Sequence, residues 1–214
     1  MIFPNFRHEL TNHFKVYNTV TYLLLFLIFT FVCMVFIIPQ DAIVHQAPAL
    51  LLIILPIAQI SNTASLFQMD YKDGTLELAL ATRSADNIVY NKFTAITIIS
   101  FSVMLLVLPI FSVLYSINLN EALRLSLIYG LMLSYINAFT VLIGAVQVYF
   151  GAACNFIATL IFPLLIPGII CGVLSIMNSA NFVLYLKLLL GLNFILVPII
   201  LVMTSYLVRN IYNI

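Results

Sequence analysis

Tryptophan is absent from this 214-residue chain, charged side chains make up only 7% of it, and there are just three cysteines and three histidines. A water-soluble domain carries about 25% charged residues because its folded surface must be hydrated. A chain that is 64% hydrophobic, with a mean hydropathy of +1.19, cannot meet that need, so its solvent is a bilayer. A net charge of +1 leaves no clustered cations to neutralise phosphates, which excludes nucleic acid as a partner. Cys33, Cys154 and Cys171 lie in or beside apolar runs without C-x-x-C spacing and read as small buried hydrophobes. None of the four lysines (Lys15, Lys72, Lys92, Lys187) follows a glycine, so there is no Walker A loop and the chain cannot hydrolyse ATP by itself. Neither H-E-x-x-H nor G-x-S-x-G occurs, which leaves no catalytic residues and no metal site to name. His8 and His13 are five residues apart, about 140° round a helix, and do not make a ligand pair. His45, between two apolar runs, reads as a solvated histidine or as a ligand to haem or metal.

What is present is apolar length. Spanning about 30 Å of hydrocarbon at a 1.5 Å rise takes roughly 20 apolar residues, and six runs qualify: 19–38, 47–67, 93–115, 125–150, 156–177 and 188–208. Backbone amides in hydrocarbon must be satisfied within the segment, so the fold is all-α, a single transmembrane domain over 1–214 with six helices. The first run is longer than a signal-peptide core and has no small-residue cleavage site after it, so it is expected to stay. With Arg7, Lys15, Lys72, Arg83, Lys92 and Arg209 on one side and only Arg124 and Lys187 on the other, the positive charges place both termini on the cytoplasmic (or matrix) side. Residues 39–46 then form an outer loop. Interfacial anchoring falls to tyrosines near run ends, among them Tyr17, Tyr22, Tyr115, Tyr149, Tyr185, Tyr206 and Tyr212. No charge lies in the middle of a run, which argues against proton-coupled transport.

Three stretches are informative. In residues 1–18, Phe3, Phe6, Leu10, Phe14 and Tyr17 recur at spacings of three and four, which gives an amphipathic helix in the headgroup plane or an extension of the first span. Residues 70–92 are the longest polar stretch. There Asp73-Gly74 is a turn signal, and 75–81 should form a short helix showing Leu76, Ala79 and Leu80 on one side with Glu77 beside them. That segment is a docking surface for another protein or a passive loop. In the fifth run Pro163 and Pro167, followed by Gly168, should kink or break the helix, as a packing kink or as a hinge.

Phe6-Arg7-His8-Glu9-Leu10, Tyr71-Lys72-Asp73-Gly74-Thr75-Leu76-Glu77 and Phe162-Pro163-Leu164-Leu165-Ile166-Pro167 together resemble the CcmB family, the permease subunits of the cytochrome c maturation ABC transporter, also called haem exporter protein B. The resemblance covers essentially the whole chain. Its sharpest elements are the Asp-Gly-Thr-Leu-Glu run and the Pro-Leu-x-x-Pro of the fifth run. It implies an ABC-2-type permease-like bundle in a bacterial inner membrane or, alternatively, a mitochondrial one. The implied partners are a CcmA-like ATPase, a CcmC-like membrane subunit, a small accessory subunit and, indirectly, the haem chaperone CcmE. ATP is then bound by the ATPase and haem is handled by the complex, with no cofactor held in this chain. Asp70, Asp73, Gly74, Leu76 and Glu77 would couple to the ATPase, while Pro163, Pro167 and Gly168 would shape a hinge. Where relatives carry a proline after the Leu-Glu helix, this chain reads Ala81-Thr82-Arg83-Ser84. Haem-holding members of such systems use tryptophan-rich segments, which this chain lacks, so mechanical coupling is favoured over a haem site here. The alternative is a structural membrane subunit of a respiratory or assembly complex that transmits no energy.

Overall fold

The computed structural model describes residues 19–37, 40–61, 63–115, 117–151 and 155–211. The expected amphipathic segment 1–18, with His8 and His13, and also Cys154 lie outside the described residues, as does the side chain of His45. Every regular element among the described residues is helical: α1 (Thr19–Ile37), α2 (Gln40–Ser61), α3 (Thr63–Lys72), α4 (Thr75–Thr82), α5 (Ala85–Leu114), α6 (Leu119–Phe150), α7 (Asn155–Met177) and α8 (Phe182–Asn210), with a 3₁₀ turn at Ser179–Asn181 before α8.

Three of these helices, α5, α6 and α8, are long and apolar enough to cross a membrane. The others carry shorter apolar stretches at Leu23–Met34, Gln46–Ile60 and Pro163–Met177. Helix starts follow caps more closely than they follow hydropathy. Ser84 (φ −71°, ψ 145°) and Asn118 (φ −66°, ψ 150°) hold the extended backbone of N-caps, and their carbonyls accept the first helical bonds, from Asn87 N–H at 3.1 Å and Ala122 N–H at 2.9 Å. As a result α5 begins eight residues before the apolar run at 93, and α6 begins six before the run at 125. The expected outer loop 39–46 is likewise helical from Gln40 onward. Polar residues facing water continue a helix without interruption, and a hydropathy window cannot see that continuation.

Helix α6 forms the centre of the bundle and packs against α2, α3, α5, α7 and α8. It is buried on all sides, from Leu125 through Gln147 on most positions. Helix α8 packs on α6 and α7 but leaves Phe194, Ile195, Val202, Met203 and Tyr206 exposed, an outward apolar face suited to lipid. Of the tyrosines expected to anchor at the interface, Tyr206, near the end of α8, is 70% exposed, whereas Tyr115 is only 2% exposed, with its ring 4.5 Å from that of Phe111. Cys33 and Cys171 are half-buried free thiols.

Candidate functional site

The chain turns twice between α3 and α5, and these turns build the candidate site. At the end of α3, Asp73 N–H donates to Met69 O (2.9 Å) and Gly74 N–H to Tyr71 O (3.3 Å). Gly74 then takes φ +71°, a left-handed conformation that costs any residue with a Cβ. Its carbonyl accepts from Leu78 N–H (3.3 Å), which starts α4. Thr75 Oγ1 donates back to the Asp70 carbonyl (3.2 Å) and ties the two helices together across the turn.

Helix α4 is amphipathic in three dimensions. Leu76 is buried at 1% exposure, and Ala79 and Leu80 are half-buried against the core, while Glu77 and Leu78 face outward. The expected helix over 75–81 is therefore formed, but its Leu76, Ala79 and Leu80 side packs into the bundle instead of facing outward for another protein to dock on. Of the five residues assigned to coupling, Asp73, Gly74 and Glu77 are exposed, whereas Leu76 and Asp70 point into the bundle. Glu77 lines a groove with Leu80, Ala81 and Arg83 of the α4 corner, closed on its far side by Tyr206 and Arg209 of α8. Glu77 and Asp86, of opposite sign to Arg83 and Arg209, thus line one groove with them, together with the apolar Leu80, Ala81 and Val202.

Beneath α4 lies a residue that the sequence did not mark. Lys92, in the third turn of α5, has 1% side-chain exposure, and its Nζ donates to Asp70 Oδ2 at 2.6 Å; Asp70 itself keeps 20%. The ammonium also sits 5.2 Å from the centroid of the Phe67 ring, within cation–π range. A charge-assisted bond of this length between partly buried groups is among the stronger polar contacts available. It fastens the end of α3 to α5. In the sequence Lys92 stood at the edge of an apolar run, and the one signal that could have found it is the cluster of opposite charge 22 residues earlier.

The second predicted site lies in α7, where a kink or a break was expected. Helix α7 continues through Pro163 and Pro167 without a break. Pro167 has no N–H for the carbonyl of Pro163, and the next carbonyl, that of Leu164, accepts the Tyr135 hydroxyl at 2.7 Å. Gly168 makes this approach possible, because a Cβ there would lie 2.5 Å from the Tyr135 ring. Both prolines face outward, so the inward glycine and Tyr135 of α6 stabilise the proline turn. Among the described residues no group of three or more His, Cys, Asp or Glu could hold a metal ion.

Comparison with known proteins adds the following. The model of the family described as CcmB protein matches residues 1–208. An uncharacterized protein of Rickettsia prowazekii, RP268, is 31% identical over 213 residues, spanning all of this chain and 98% of the relative. An uncharacterized protein of Rickettsia conorii, RC0356, is 33% identical over the same extent. No solved structure matches.

Proposed function

Because this chain belongs to the CcmB family, we propose that it is the unpowered membrane lever of the haem-exporting ABC transporter of cytochrome c maturation, moved by a separate ATPase that docks on α4. Family membership makes it a membrane subunit of that transporter and a non-catalytic one. The observation that supports the lever reading is the construction of α4. It shows Glu77 and Leu78 outward and buries Leu76 inward, and its first residue, Thr75, bonds the carbonyl of Asp70, whose side chain pairs with Lys92 of α5. Force applied to such a helix passes into a long apolar helix instead of dissipating in a loop.

On this reading the chain has six membrane crossings with both termini on the ATPase side. The membrane is a bacterial inner membrane, as the rickettsial relatives suggest. Asp73 and Glu77 meet a CcmA-like subunit, and Gly74 sets the turn that presents them. CcmC-like and accessory subunits complete the complex, and haem is its cargo, passed to or released with the chaperone CcmE. Substituting Glu77→Lys reverses the charge at the groove without touching the buried face. The variant is expected to remain in the membrane, to lose copurification of the ATPase and to stop cytochrome maturation. Normal pull-down together with normal maturation would refute the docking assignment.

A further inference from the structure

Among the described residues, the middle of the bundle contains no charge, but it does contain amides. Gln59 of α2 and Asn137 of α6 are each 0% exposed, and Asn137 lies near the middle of the longest helix. Gln59 Nε2 donates to Ser100 Oγ (3.0 Å) and Asn137 Nδ2 donates to Thr97 Oγ1 (3.4 Å). Both acceptors stand on α5, three residues apart and so on one face. Two amides from two different helices therefore converge on adjacent turns of a third. Gln59 Oε1 and Asn137 Oδ1 find no partner among the described residues.

Turning either amide end for end would not satisfy it, because each has one neighbouring hydroxyl and two polar ends. Buried amide oxygens without a donor are rare in native proteins, since each forfeits its hydration. In hydrocarbon no lipid tail can supply the bond.

We propose that Gln59, Thr97, Ser100 and Asn137 form a buried water-binding site at the junction of α2, α5 and α6, in which water donates to the two amide oxygens. The chemistry selects water over an ion, because all four side chains are neutral and none could balance a charge. Water suits the need in being small and in offering two donors and two acceptors. Lys92 lies on the same helix as Ser100, eight residues or about 12 Å along it. The motion assigned to α4 above would therefore pass this junction, where water can exchange hydrogen bonds as α5 shifts. That consequence depends on the lever reading, whereas the water site does not.

In-place radiolysis of water, which converts nearby methionine to its sulfoxide, tests the site in the full chain purified with its partners in lipid nanodiscs. Met104 is 2% exposed and one helical turn from Ser100. In the native protein Met104 is expected to oxidise despite its burial, and in Gln59→Leu/Asn137→Leu its oxidation should fall at least fivefold while that of Met177, 60% exposed at the end of α7, is unchanged. Should the double variant not assemble, each single variant should lower the signal at least twofold, and the native measurement still decides. An unoxidised Met104 in the native protein, or one oxidised equally in the variants, overturns the proposal.

Discussion

Replacing Asp70 by Asn tests the joint beneath α4 most directly. The substitution is nearly isosteric, but it withdraws the carboxylate from an ammonium that has 1% exposure and lies 2.6 Å away. Breaking a buried ion pair from one side costs about 3–5 kcal/mol, because the remaining charge stays desolvated. The Phe67 ring 5.2 Å from Nζ and the 20% exposure of the Asp70 side chain both soften the loss, which puts Asp70→Asn near the lower end, about 3 kcal/mol. Lys92→Met should cost less, about 2 kcal/mol, since the carboxylate left behind can still reach water. The double variant Asp70→Asn/Lys92→Met removes the ammonium that has lost the Asp70 carboxylate and should recover most of the deficit. The resulting coupling of at least about 1.5 kcal/mol is larger than independent sites show. Equilibrium unfolding of the purified chain in mixed micelles, read by helical circular dichroism across a denaturing-detergent series, gives all four corners of the cycle. Additive single-variant losses, or an Asp70→Asn loss under about 1 kcal/mol, would show that this contact holds nothing together.

Gly168→Ala places a methyl group 2.5 Å from the Tyr135 ring. It should destabilise by about 1–3 kcal/mol, the usual range for overpacking, and combining it with Tyr135→Leu should relieve part of that loss in the same unfolding assay. Tyr135→Phe alone removes the bond to the Leu164 carbonyl and should cost about 1 kcal/mol. Gly74→Ala meets no neighbour, yet it must hold φ +71°. A loss of about 1–2 kcal/mol is therefore expected from backbone strain alone, with Gly74→Asn milder; equal losses for Ala and Asn would contradict the left-handed assignment.

The all-helical class, three of the six expected spans and the turn at Asp73-Gly74 could be read directly, because each depends on a few neighbouring residues. The grouping of Leu76, Ala79 and Leu80 on one side of α4 was legible for the same reason, since their spacing belongs to one helix, but that this side packs into the bundle was not. The Asp70–Lys92 pair was not legible. It joins residues 22 apart, and a lysine just before an apolar run reads as solvated until the third dimension covers it. The unbroken course of α7 was also hidden. Pro163 and Pro167 foretell a defect, but the hydroxyl that stabilises their turn comes from Tyr135, 29 residues away from the carbonyl it bonds. Gln59 and Asn137 escaped notice because a search for charge passes over neutral amides, whose partners lie 41 and 40 residues distant.

The enclosure of α6 bears on how the protein is made. Tyr135 and Gln147 both project from this one helix and are both buried, and the Tyr135 hydroxyl finds its acceptor only on α7, at the Leu164 carbonyl. While α6 is newly synthesised, before α7 and α8 have left the ribosome, these groups would face acyl chains or the insertion machinery with few partners. Helix α6 must therefore be retained beside the translocation channel, or chaperoned by α5, until its later neighbours arrive. A nascent chain stalled after residue 150 should be extractable from the bilayer or degraded, whereas one released after α8 has closed around the central helix should resist both.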